Sequence, residues 1–226
     1  MDTIHIKGGV SLQGKVKIQG SKNAALPILA ASILTGEISV IENVPRISDI
    51  YQMLQILESI GCKVKWEKNG VIVDPSNLLP NKLPTSAIVG MRSSLCMLGA
   101  MLGRFGQVVM EHPGGCVIGK RPIDLHLKAL RQMGASFLEQ ENLIVGSLER
   151  ELEGAVIELP FPSVGATENI ILASVMARGN TYIVGAAKEP EVVALCEYLR
   201  GCGALIEGAG SDVIWIEGNR RLFGVE

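Results

Sequence analysis

The run from His112 to His126, His-Pro-Gly-Gly-Cys-Val-Ile-Gly-Lys-Arg-Pro-Ile-Asp-Leu-His, gathers a thiol, two cations and a carboxylate into one short stretch. Its glycines admit backbone conformations that residues with a Cβ resist. Lys120 and Arg121 favour both a thiolate at Cys116 and a bound phosphate. By itself such a run also describes an ordinary surface turn. Two other segments keep it company: Ser21-Lys22-Asn23-Ala24-Ala25-Leu26-Pro27-Ile28 and Ser163-Val164-Gly165-Ala166-Thr167. Together they supply a nucleophile or proton donor, cations and helix-start residues, the parts needed for chemistry on an anionic substrate.

Spacing shows how the chain positions these groups. Lys22 to Gly36, Arg92 to Gly106 and Gly165 to Gly179 are each 14 residues apart. Each interval holds an apolar run of small residues: Ala24 to Leu34, Leu95 to Leu102, Ile170 to Ala177. Runs that are apolar all round suit buried helices. After each closing glycine the sequence predicts a strand (Ser39-Val40-Ile41, Val108-Val109-Met110, Tyr182-Ile183-Val184), a loop, and an amphipathic helix ending at Gly61, Gly134 or Gly203. In those helices Ile50, Met53, Leu54 and Leu57, and Val192, Leu195, Cys196 and Leu199, recur at helical spacing and define one buried stripe. Two short strands close each unit, as in Lys63 to Trp66 and Val71 to Val73. The result is three βαβαββ units of roughly seventy residues, about 22–90, 91–162 and 163–226, making one α/β domain over residues 22–226. Three units with one buried helix each imply helices inside and sheets outside.

Equivalent positions of such units lie at one end of the domain, and here those are Lys22 with Asn23, Arg92, and the Ser163-Val164-Gly165 turn. Helix starts offer unpaired N–H groups and a positive dipole end, so the prediction is an anion-binding mouth; the alternative is that Lys22 and Arg92 solvate a rim. The second unit is longer between its glycines, 28 residues from Gly106 to Gly134 against 25 and 24 in the other two. The extra length falls at Pro113 to Arg121 and carries Cys116, which makes it the one cysteine expected to be reactive. Cys62, Cys96, Cys196 and Cys202 read as small core residues. His5, His112 and His126 show no metal-ligand spacing, and His126 reads as a structural hydrogen-bonding residue.

Length and composition bound the rest. The 226 residues are 47% hydrophobic but only 4% aromatic, which gives a core of small aliphatic side chains. The net charge of −2, with no basic run, argues against nucleic acid. Five cysteines without a CxxC pair suggest neither a disulfide framework nor a zinc cage. No segment has the length and polarity of a membrane span, so a cytoplasmic protein is expected.

The three motifs in this order resemble the enolpyruvyl transferase family, in its branch acting on UDP-N-acetylglucosamine, over essentially the whole chain. The resemblance implies an inside-out α/β barrel, with residues 1–21 as a strand segment of a second domain built mainly by a C-terminal half. It implies transfer of the enolpyruvyl group of phosphoenolpyruvate to the 3′-hydroxyl of UDP-N-acetylglucosamine with release of phosphate, the first committed step of peptidoglycan and cell-wall synthesis, without a metal or organic cofactor. Carried over by motif, Cys116 is the proton donor and forms a pyruvate adduct, while Lys22 and Arg121 hold the phosphate and carboxylate charges of phosphoenolpyruvate. Asn23 and Arg92 contact the substrates. Arg121, Pro122, Ile123, Asp124 and Leu125 line the nucleotide-sugar site with Ser163, Val164 and Gly165. One departure is Phe161, where some family members carry a lysine. The implied partners are the two small molecules and the C-terminal half of the same enzyme, without which the chain is expected to be inactive. Rival readings are a noncatalytic nucleotide-sugar-binding module, the sister enzyme making enolpyruvylshikimate phosphate, and a thiol redox protein built on Cys116.

Overall fold

The structure is a computed structural model that describes residues 3–80, 83–112, 123–140 and 142–225. The first unit contains α1 (Lys22–Ala31), β1 (Ser39–Glu42), α2 (Ser48–Ser59), β2 (Lys63–Trp66) and β3 (Gly70–Asp74). After the short helix α3 (Thr85–Gly90) and a 3-10 turn at Arg92–Leu95, the second has α4 (Cys96–Phe105), β4 (Gln107–Glu111), α5 (Asp124–Gln132), β5 (Ala135–Gln140) and β6 (Leu143–Leu148). The third comprises β7 (Val156–Glu158), α6 (Val164–Ser174), β8 (Asn180–Val184), α7 (Pro190–Gly201), β9 (Leu205–Glu207) and β10 (Val213–Glu217), so it opens ahead of the boundary expected at residue 163, because β7 pairs with β8. The strand order repeats three times, as β1-β3-β2, β4-β6-β5 and β8-β10-β9, all antiparallel.

Helices occupy the interior because α1, α4 and α6 carry no polar stripe long enough to face water. α1 packs on α2, α4 and α7, and α6 packs on α4, α5 and α7. α4 and α6 pack closely. A Cβ at Gly99 would stand 2.3 Å from the backbone oxygen of Asn169, so only glycine lets the two backbones come so near. The amphipathic helices end as their glycines predict. Gly61, Gly134 and Gly203 have φ of 99°, 100° and 101°, the left-handed conformation of a helix C-terminus.

Among the described residues, the opening strand of the βαβαββ unit is fully formed only in the third unit, where β7 runs parallel to β8. In the second unit its place beside β4 is taken by one backbone bond, from Leu83 N to the oxygen of Val109 at 3.0 Å. In the first unit it is supplied by residues distant in sequence: Val40 N of β1 donates to the oxygen of Val225 at 2.7 Å. Gly224 N and Arg221 both reach Glu37, at 3.2 and 3.5 Å. The third unit thereby joins the first and closes the ring.

Residues 3–20, expected as strand-like, contain no strand. Ile4, Ile6, Val10, Leu12, Val16 and Ile18 are each more than three-quarters exposed. Their alternation meets the pattern requirement for a strand but not the pairing requirement, since a strand needs a neighbour to accept its backbone hydrogen bonds.

Candidate functional site

Six helix starts meet at one end of the ring around a cavity of about 780 Å³, a size suited to a small-molecule ligand. Two begin alike. Ser21 caps α1 by accepting from Ala24 N, and Ser163 caps α6 by accepting from Ala166 N, both at 3.4 Å. The third unit breaks the pattern, since its cap lies sixteen residues before Gly179 whereas Ser21 lies fifteen before Gly36. Lys22 and Val164, rather than Lys22 and Gly165, are therefore the first helical residues. The second unit enters α4 through the 3-10 turn that begins at Arg92.

The second helices each bring a carboxylate to their first turn, Asp49 on α2, Asp124 on α5 and Glu191 on α7, where the helix dipole favours negative charge. Two of them hold the polar residues of α1. Lys22 Nζ donates to Asp49 Oδ2 at 2.9 Å, and Asn23 Nδ2 donates to Glu191 Oε1 at 3.3 Å. The Lys22–Asp49 pair is partly open to solvent, and such pairs contribute only ~0–1 kcal/mol. An anion entering the cavity can therefore compete for Lys22.

Of the residues singled out in the sequence, Lys22, Asn23, Arg92, Asp124, Leu125, Ser163, Val164 and Gly165 all line this cavity. Ile123 sits just ahead of α5, packed against the core instead. Phe161 is on the cavity wall and 59% exposed, so the wall is apolar where some family members bring a lysine. Cys116, Lys120, Arg121 and Pro122 lie outside the described residues. Cys62, Cys96, Cys196 and Cys202 are buried, and burial pushes each thiol well above its ordinary pKa. Burial and the raised pKa both disfavour the thiolate that would have to react.

Sequence reasoning anticipated a hydrogen-bonding role for His126 but missed its partner beneath the cavity. Asn169 on α6 is 1% exposed. Its Oδ1 accepts from Gly99 N at 2.8 Å, and its Nδ2 lies 2.9 Å from His126 Nδ1 and donates to the oxygen of Gly165 at 3.3 Å. A backbone N–H can only donate, which fixes the amide's orientation; His126 Nδ1 is then an acceptor and the ring proton sits on Nε2. Burial, reinforced by the Arg92 guanidinium against a smaller opposing effect of Asp124, brings the His126 pKa down to about 4. The imidazole is neutral at physiological pH and ties α5 to α6. Glu168 was missed as well, although one signal was legible: it is the sole charged residue between Ser163 and Arg178.

Three units closed into a ring with helices inside define the class as the enolpyruvyl transferase fold. The structure matches the enolpyruvyl transferase NikO from Streptomyces tendae with a TM-score of 0.82 at 23% identity, covering 96% of this chain and 52% of that one. It matches an EPSP synthase from Acinetobacter baumannii with a TM-score of 0.73 at 22% identity, covering 94% and 48%. These likenesses establish the fold.

The family described as EPSP synthase (3-phosphoshikimate 1-carboxyvinyltransferase) matches residues 6–226, and the chain belongs to it. Among its relatives, the UDP-N-acetylglucosamine 1-carboxyvinyltransferase of Oleidesulfovibrio alaskensis is 47% identical over 226 residues, 100% of this chain and 54% of the relative. UDP-N-acetylglucosamine 1-carboxyvinyltransferase 1 of Halalkalibacterium halodurans is 44% identical over 227 residues, 100% of this chain and 52% of the relative. The chain spans about half the length of the curated relatives it matches. Among the described residues, no helix is long and apolar enough to cross a membrane.

Proposed function

We propose that this chain forms one wall of a site that transfers the enolpyruvyl group of phosphoenolpyruvate to the 3′-hydroxyl of UDP-N-acetylglucosamine, in cytoplasmic synthesis of peptidoglycan. The observation that carries the reading is the convergence of Lys22, Arg92 and six helix starts on one cavity, in a chain whose relatives bear that enzyme's name. The reaction adds a proton to the methylene carbon of phosphoenolpyruvate while the sugar hydroxyl attacks the adjacent carbon. The resulting tetrahedral ketal then loses a proton from its new methyl group and expels phosphate, restoring the double bond.

In this reading Cys116 delivers the first proton and Lys22 and Arg121 compensate the phosphate and carboxylate charges. Asn23 and Arg92 contact the substrates, and the segments 121–125 and 163–165 line the nucleotide-sugar site. Turnover requires the length of chain that the relatives have in addition, because it supplies the opposite wall and the groups that position the hydroxyl.

The test is calorimetric titration of the chain with UDP-N-acetylglucosamine and phosphoenolpyruvate. Lys22→Ala is expected to weaken binding by about one to two decades, the worth of a charge-assisted hydrogen bond of roughly 1.5–3 kcal/mol. Lys63→Ala, on the exposed strand β2, should change nothing. Equal effects at both positions would favour the solvated-rim reading. A phosphate-release assay with a supplied C-terminal half then separates a transferase from a noncatalytic binding module.

A further inference from the structure

Glu168 lines the cavity from α6, one turn beyond the Ser163 cap. Its sequence neighbours face the protein and are fully engaged. Thr167 Oγ1 donates to the oxygen of Ser163 at 2.8 Å and accepts from Ala187 N at 3.1 Å, while Asn169 makes the bonds to α4 and α5 described above. The Glu168 carboxyl makes no hydrogen bond or ion pair among the described residues.

Among the described residues, its surroundings are unfavourable to a negative charge. From α1 comes Lys22, already paired with Asp49 of α2, and Asn23, already donating to Glu191 of α7. The loop before α7 adds Glu189, α5 brings Asp124 and the neutral His126, α4 brings the buried Cys96 thiol, and the 3-10 turn brings Arg92. Burial above all, with repulsion from Glu191 and Glu189, pushes the Glu168 pKa up to about 8.

We propose that Glu168 works in this site as a neutral carboxylic acid, donating a hydrogen bond from its own O–H to an oxygen of the anionic ligand, and that its ionisation repels that ligand from the cavity. This rests on the anion-binding reading above. Four carboxyl groups (Asp49, Asp124, Glu168, Glu191) share the lining with Lys22 and Arg92. Asp49 and Glu191 are engaged by Lys22 and Asn23; keeping a proton on Glu168, which is buried and makes no such bond among the described residues, removes a repulsion and adds a donor.

The experiment measures binding of UDP-N-acetylglucosamine to the chain from pH 6.5 to pH 9, a range in which the charge of the diphosphate is constant. With only the protonated form competent, the apparent Kd is divided by the protonated fraction and should rise roughly tenfold across the range. Glu168→Gln, a neutral donor of the same shape, should hold its affinity nearly constant. Glu189→Gln should move the midpoint to lower pH. In ligand-free protein labelled with 13C at the glutamate carboxyls, the resonance missing from Glu168→Gln should titrate well above the ordinary carboxylate range. An ordinary midpoint for that resonance, or the same pH slope in Glu168→Gln and wild type, overturns the proposal while leaving the ligand site intact. Absence of binding at every pH by both folded proteins overturns the anion-site reading and this proposal with it.

Discussion

Asn169→Ala is the substitution that best tests how the three units are held together. The side chain bridges α4, α5 and α6 from a position 1% exposed, so nothing in solvent replaces it. Truncation leaves Nδ1 of His126 without its partner and takes the second acceptor from the N–H of Gly99, which α4 also pairs with the N-cap carbonyl of Leu95. Each buried group deprived of its hydrogen bond costs ~1–3 kcal/mol, and the lost amide volume adds a small cavity term. The expected destabilisation is ~3–5 kcal/mol, a large share of the ~5–15 kcal/mol that a protein of this kind possesses. Urea unfolding should show the midpoint falling with the slope unchanged. NMR titration of His126 should show its pKa recovering only part of its depression, because the amide donor that favours the neutral ring is gone while burial and the Arg92 guanidinium, the main causes, remain. A loss below about 1 kcal/mol with His126 unmoved would refute the bridge.

Two further outcomes follow from the same interior. Gly99→Ala should destabilise by at least ~2 kcal/mol despite the better helix propensity of alanine, because the new Cβ would meet the Asn169 backbone oxygen at 2.3 Å. Gly103→Ala should cost less, since its nearest neighbour, at 3.1 Å, is the flexible Met176 side chain; equal melting temperatures would contradict this. Because the His126 pKa is depressed from 6.5 to about 4, its contribution to stability is complete above pH 6.5 and is lost as pH falls from there toward 4, amounting to ~3 kcal/mol. Glu168, with its raised pKa, acts with the opposite sign between pH 4.5 and 8. The readout is therefore the difference between wild type and His126→Asn in denaturation at pH 7 and pH 4, and that difference should shrink or reverse in acid.

Much of this protein is written in residues close together in sequence. The all-round apolar runs after Lys22, Arg92 and Ser163 became the buried helices α1, α4 and α6, because nothing along them could face water. Gly61, Gly134 and Gly203 ended the second helices, because a left-handed residue there is nearly free for glycine and costly for the others. The strands β2 and β3 fell where Lys63 to Trp66 and Val71 to Val73 predicted them. Even the meeting of Lys22, Arg92 and Ser163 was legible, since repeated units place equivalent residues at one end. Tertiary structure alone decided what those residues face. Lys22 is held by Asp49, 27 residues away, and Asn23 by Glu191, 168 residues away. Asn169 bonds a glycine on one helix and a histidine on another, and Val225 completes the sheet begun at Val40. Local patterning fixes which side of a helix is apolar. It does not fix which helix from another unit packs there, and an exposed alternating segment such as Ile4 to Ile18 becomes a strand only when a neighbour offers hydrogen bonds.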